Sequence, residues 1–231
     1  MLAKLRFIIT VMQLLISMSL VIVLMYIFKN KNRTIRQVWA KYQMKLLGIK
    51  VEIEGTLDES ADMIVMNHQS LLDIIMFEYL HPRNLAWVAK KEIANLFWFG
   101  HILKAPKMII VERESKSSLV QLLKDSKEKL KEQRALAIFP EGTRTDGKKL
   151  RKFKAGAKMI ALKNELRVQP IVIVGTRTIL DTHNFTQNSG TVKIIYLPTV
   201  KAEKSTTWYE DMEVNMAEIL DKEIKDLDIE P

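Results

Sequence analysis

Met63-Ile64-Val65-Met66-Asn67-His68-Gln69-Ser70-Leu71-Leu72-Asp73 is the stretch on which the architecture turns. The apolar run Met63–Met66 has no polar interruption, which fits a strand covered on both faces, as inside a parallel sheet. Ser70 then stands where a helix N-cap belongs, and the residues from Leu71 to Leu80 read as the helix. Outward from this unit the same grammar repeats. Strands are expected at Val51–Ile53, Leu85–Ala89, Met108–Val111, Leu136–Phe139, Val168–Val174 and Thr191–Leu197. Further helices are expected at Ile93–Leu103, Ser117–Gln133, Ala155–Lys163 and Thr206–Leu227. Alternation of this kind argues an α/β fold with a mostly parallel central sheet flanked by helices. No internal repeat or Pro/Gly/Ser-rich linker divides residues 51–231, which read as one domain behind an anchor at residues 1–50.

Sheets of this class bind ligands beyond the carboxyl ends of their strands. Three such ends carry chemistry: Asn67-His68-Gln69-Ser70 with Asp73, Glu112-Arg113, and Pro140-Glu141-Gly142-Thr143-Arg144. Helical side chains lean toward the N-terminus, so the Asp73 carboxylate can meet the His68 imidazole, fix its tautomer and stabilise the imidazolium. Ser70-x-x-Asp73 is also a capping box, which needs no catalysis, and the spacing alone leaves both readings open. Gly142 permits close approach of a substrate, and Arg113 and Arg144 suit bidentate phosphate binding. The run Lys148, Lys149, Arg151, Lys152 and Lys154 reads either as a solvated face or as a patch for anionic lipid or an acidic carrier.

The chain has 36 Lys and Arg against 27 Asp and Glu, a formal net charge of +9. A basic balance invites a nucleic-acid reading, but its distribution does not support one. Nine basic residues (Lys4, Arg6, Lys29, Lys31, Arg33, Arg36, Lys41, Lys45, Lys50) precede the first acidic residue, Glu52, leaving 27 of each sign afterward. Between Arg6 and Lys29 lies the uncharged stretch Phe7–Phe28, long enough to cross a hydrocarbon layer at roughly 20 residues per span. A cleaved signal peptide fits less well, because the run exceeds the usual ~7–15 residues and no A-x-A-like site follows. Ile35, Val38, Trp39, Tyr42 and Leu46 then recur at helical spacing, as in a helix at a membrane interface or one packed on the domain. Lys and Arg are denser after the apolar run than before it, which puts the domain in the cytoplasm. The absence of cysteine excludes disulfides, Cys-ligated zinc, iron–sulfur clusters and a thiol nucleophile. Ser70 is not in a G-x-S-x-G elbow, and His81, His101 and His183 have no metal-ligand spacing.

Asn67-His68-x4-Asp73 followed by Phe139-Pro140-Glu141-Gly142-Thr143-Arg144 resembles the glycerolipid acyltransferase family, and within it the bacterial lysophosphatidic acid acyltransferases. Val88-Ala89-Lys90-Lys91-Glu92-Ile93, Phe153-Lys154-Ala155-Gly156-Ala157 and Val168-Gln169-Pro170-Ile171-Val172 agree further. Phe97 stands where the family often has Pro, and Lys107 where it has Gly, in a region associated with the acceptor. The resemblance implies transfer of a fatty acyl group from a CoA or acyl carrier protein thioester to the 2-hydroxyl of lysophosphatidic acid, without a cofactor or metal. His68 and Asp73 are then the catalytic pair. Asn67, Lys90, Arg113, Glu141, Gly142, Thr143 and Arg144 bind substrate, with Glu141 organising its turn and Gly142 or Lys90 near an oxyanion. The implied partner is the inner membrane, with its lysolipid, rather than nucleic acid. Another acceptor (glycerol-3-phosphate or a lyso-ornithine lipid) and a non-catalytic membrane adaptor are the competing readings.

Overall fold

The computed structural model describes residues 1–112 and 116–226. It opens with helix α1 (Leu2–Ile27), a 3-10 turn (Lys29–Lys31) and α2 (Asn32–Leu46). There follow β1 (Ile49–Glu54), β2 (Met63–Met66), α3 (Leu71–Leu80), β3 (Leu85–Lys90), α4 (Lys91–Ala94), α5 (His101–Lys104), β4 (Ile109–Val111), α6 (Lys116–Lys131) and β5 (Ala135–Ile138). The chain continues through α7 (Ala155–Asn164), β6 (Arg167–Val174), α8 (Thr176–Ile179), β7 (Leu180–Asp181), β8 (Thr186–Gln187), β9 (Gly190–Tyr196), β10 (Val200–Lys201) and α9 (Trp208–Asp226). Every expected strand is present, displaced at its ends by two residues at most. Leu227, expected to end the last helix, lies outside the described residues.

The main sheet runs β1-β9-β6-β2-β5-β3-β4, with β10 added beside β6. From β6 through β4 every neighbour is parallel, and β9 is antiparallel to β6. Pro170, without an N–H, is tolerated inside β6 because it falls between the stretch paired to β10 and the stretch that begins pairing to β9 at Ile171. Alternate residues of β2 feed two cores: Met63 and Val65 pack with α6, α7 and α9, whereas Ile64 and Met66 pack with α3. Phe7 and Leu14 of α1 and Ala40 and Met44 of α2 join that second core, so the N-terminal pair of helices is built into one face of the domain.

Two expectations are corrected. The single helix Ile93–Leu103 is instead α4 and α5 with a turn between them. The chain doubles back so tightly that a Cβ at Gly100 would lie 2.1 Å from the Ala94 carbonyl oxygen. Apolar spacing there mimics a helix because Phe99 and Ile102 face α1 while Leu96 and Phe97 stay exposed. The second correction concerns the N-terminal charge. Arg36 is buried and paired with Glu78, and Arg33 meets the same carboxylate at 3.2 Å, so two of the nine leading cations serve packing.

Candidate active site

In the order β6-β2-β5 the strand carrying His68 lies between two others, so three carboxyl ends converge. Ser70 caps α3: its Oγ accepts from Leu72 N at 3.4 Å, and its own N–H donates to Asp73 Oδ2 at 2.9 Å. The capping box and the dyad coexist, because the same Oδ2 lies 2.7 Å from His68 Nδ1 and also accepts Gln69 N at 2.7 Å. A carboxylate offers only acceptors, so Nδ1 carries the proton and Nε2 is left basic. Asp73 is fully buried, while the half-buried His68 ring stacks on Phe139 with centroids 3.9 Å apart. Thr176 Oγ1 completes the set by donating to Asp73 Oδ1 at 2.5 Å.

Glu141 works behind His68. One carboxylate oxygen accepts His68 N and the other Arg151 N, each at 2.8 Å, which ties the β2 loop to the β5–α7 loop. The Glu141 carboxyl is pushed up to about 7, chiefly by burial, against the opposing effect of these two N–H donors. Asn67 is likewise structural in position: its amide donates to Ile173 O at 2.8 Å and accepts Ile173 N at 2.7 Å. The Gly142 N–H donates to Phe139 O at 3.0 Å, so that donor is spent within its turn.

A cavity of about 740 Å³ is lined from His68 along α3 to Glu78, the eighth residue of that helix. At 1.5 Å per residue that is ~12 Å. Its wall is apolar, formed by Leu71, Ile74, Ile75, Trp87, Leu103 and Met108. The far end meets the Arg36–Glu78 pair, whose carboxylate also accepts Trp87 Nε1 at 2.7 Å. Lys90, Gly142, Thr143 and Arg144 line the cavity, whereas Asn67 and Glu141 are absent from its lining. Arg113 lies outside the described residues.

Sequence reasoning passed over Gln69, Arg177, Asp181 and Thr182, all of which line this cavity. Arg177 is aimed by its Nη1, which donates to Thr145 O at 2.7 Å, and by Asp181 Oδ2 at 3.3 Å from its Nε. A signal existed. Gly175-Thr176-Arg177, at the carboxyl end of β6, repeats the Gly142-Thr143-Arg144 trio after β5, and both glycines have positive φ, 94° and 73°.

A buried carboxylate, an oriented imidazole whose Nε2 has no partner among the described residues and an adjoining apolar cavity with cations in its lining define an α/β enzyme equipped to deprotonate a hydroxyl. The Acyltransferase family model matches residues 48–174. The chain is 39% identical over 209 residues to the 1-acyl-sn-glycerol-3-phosphate acyltransferase of Helicobacter pylori, covering 88% of each. It is 29% identical over 168 residues to the enzyme so named from Cocos nucifera, covering 72% of this chain and 54% of that one. Its fold matches the crystal structure of the 1-acyl-sn-glycerophosphate acyltransferase PlsC of Thermotoga maritima, with a TM-score of 0.72, 21% identity and 98% of each chain covered. The chain belongs to the acyltransferase family.

Proposed function

We propose that this protein is a membrane-associated 1-acylglycerol-3-phosphate O-acyltransferase, which moves a fatty acyl group from a thioester to the 2-hydroxyl of lysophosphatidic acid and so makes phosphatidic acid. The observation that carries the reading is the His68–Asp73 dyad at the opening of an apolar cavity lined also by Lys90, Arg144 and Arg177. His68 Nε2 takes the hydroxyl proton as the oxygen attacks the thioester carbonyl. The tetrahedral intermediate then expels the thiolate, which leaves with the proton held on the imidazolium. Such general-base help is worth roughly 10²–10⁴ in rate. With the Gly142 N–H engaged, the oxyanion falls to Lys90 or to the Thr143 N–H, which has no partner among the described residues. Arg144 receives the phosphate and thereby positions the hydroxyl. The apolar cavity takes an acyl chain.

The flank of α1 supports a membrane location. Its exposed face carries Leu5, Ile8, Met12, Ile16, Leu20 and Ile27, while Phe7 packs edge-on against Phe185 at 5.6 Å. At the other end the Tyr26 hydroxyl lies 2.6 Å from His101 Nδ1. A helix held at both ends against the domain follows the domain surface, so we place it in one leaflet, the cytoplasmic leaflet of the inner membrane. Val38, Tyr42, Leu46, Phe97 and Trp98 add exposed apolar surface on α2 and the α4–α5 turn. The acceptor then need not leave the bilayer, which would cost ~0.8 kcal/mol per CH₂. The thioester donor, on CoA or acyl carrier protein, arrives from water, where Lys149, Arg151, Lys152 and Lys154 are exposed for an anionic partner. The test is an acyl-transfer assay on membranes with both thioesters. Lysophosphatidic acid should be acylated faster than glycerol-3-phosphate, lyso-ornithine lipid or monoacylglycerol; preference for any of these would contradict the assignment.

A further inference from the structure

The second Gly-Thr-Arg turn has no place in the motifs by which the family was recognised, yet its side chains reach the centre of the site. β2 is flanked by β5 and β6, and each flanking strand ends in a Gly-Thr-Arg. Arg144 from the first and Arg177 from the second line the same cavity, and Arg144 Nη1 lies 3.4 Å from Thr182 Oγ1 on the segment that follows Arg177. Arg177 is fixed rather than solvated: Thr145 O holds its Nη1 and Asp181 Oδ2 its Nε, and Nη2 has no partner among the described residues. Asp181 in turn is fully committed, accepting His183 N at 2.7 Å, Asn184 N at 3.1 Å and Asn184 Nδ2 at 2.8 Å.

Thr176 points the other way, into the core. It is fully buried and donates to the one Asp73 oxygen that His68 does not touch. Oδ2 already accepts from His68, Gln69 and Ser70, so among the described residues Thr176 alone fixes Oδ1 and with it the rotation of the carboxylate plane. Without that hydroxyl, Oδ1 would be a buried acceptor lacking its partner, and the carboxylate would turn to find another.

We infer that Gly175-Thr176-Arg177 is a second functional turn of the site, in which Arg177 is an acceptor-phosphate ligand and Thr176 a positioning residue that holds Asp73 for His68. The inference rests on the acyltransferase reading. Adjacent residues in one turn are assigned opposite kinetic signatures, which a merely structural turn would not produce. Arg177→Gln should raise KM for lysophosphatidic acid by ~10-fold or more, the scale of a charge-assisted hydrogen bond, with kcat and the KM for thioester little changed. On monoacylglycerol, which lacks the phosphate, the rise in KM should be absent or several-fold smaller than on lysophosphatidic acid. Thr176→Val should lower kcat by ~10–100-fold with KM for both substrates within about threefold, a part of what the general base contributes. Thr176→Ser, which restores the donor, should return kcat to within about threefold of wild type by the same reasoning. Thermal melts confirm that each variant is folded, and Thr176→Ala replaces the valine variant if that one does not fold. Wild-type turnover of lysophosphatidic acid with no KM change in Arg177→Gln, or with serine as damaging as valine at Thr176, overturns the inference alone. Absence of wild-type turnover overturns it together with the reading beneath it.

Discussion

Glu141 shows how one carboxyl can brace a site without lining its cavity. Its proton is held up to about 7 in the folded protein, against an ordinary value of 4.5 once the chain unfolds. Between those values folding takes up a proton, so stability falls as pH rises, by up to ~1.4 kcal/mol per pH unit. Below the lower value both states are protonated and the dependence vanishes. Glu141→Gln should therefore flatten the melting temperature across this window, measured against pH; an unchanged slope would show that another group causes it. Lys107 is a second residue-scale case. It occupies the place of a family glycine and keeps a left-handed backbone, φ 52°, with its carbonyl 3.4 Å from the Arg134 guanidinium. Lys107→Gly should relieve about 1 kcal/mol of that conformation, raising Tm by ~2–4 °C for a chain this long. A lower Tm would contradict the strain argument. Lys107 thus holds a backbone conformation that glycine adopts without strain. At this scale His68, Gly142, Thr143 and Arg144 were legible as strand-end residues and Asp73 by its helical spacing from His68, whereas Lys90 was named only through the family resemblance. Thr176 was not legible, because its partner Asp73 lies 103 residues away in sequence. Asn67 was legible as important but not as a brace, since sequence names a side chain without saying that it turns to a backbone, whereas Glu141 was expected to organise its turn and its carboxylate joins the N–H groups of His68 and Arg151.

Among the elements, strands were the most legible, because a strand buried on both faces is an unbroken apolar run bounded by polar residues. The α4–α5 turn misled by its apolar spacing, and only the close contact of Gly100 with Ala94 O shows why no continuous helix forms. Helix α1 was legible as apolar on every side, but not in its placement. Periodicity does not reveal that Leu14, Val21, Ile22 and Met25 face protein while Ile8, Ile16 and Leu20 face outward. The two faces should respond differently to charge. Ile16→Glu with Leu20→Glu should release the protein from vesicles of anionic lipid in a flotation assay while the thermal melt is unchanged. Loss of fold in that variant, or retention on the vesicles, would contradict the assignment of the faces. The lack of cysteine gives a cleaner topological test. A helix lying in the cytoplasmic leaflet leaves Leu2→Cys open to an impermeant maleimide in inside-out vesicles and protected in spheroplasts. The reverse pattern would mean that α1 crosses the membrane.

For the molecule as a whole, the fold joins a charged, apolar N-terminal flank to a neutral catalytic domain. Seven of the nine leading cations remain exposed beside the apolar surface, while Arg33 and Arg36 turn inward to Glu78 at the end of the cavity. Charge counted along a sequence shows where an excess lies, but not which members are consumed by packing. In the proposed function the flank brings a lipid acceptor to the sheet edge, where His68, the cations and the cavity lie together. The most direct measurement of the whole is acyl transfer to lysophosphatidic acid by His68→Ala, assayed beside wild type in the same membranes. The account predicts a fall of at least ~10²–10⁴-fold with membrane association and melting temperature retained; near-normal transfer by the folded, membrane-bound variant would contradict it.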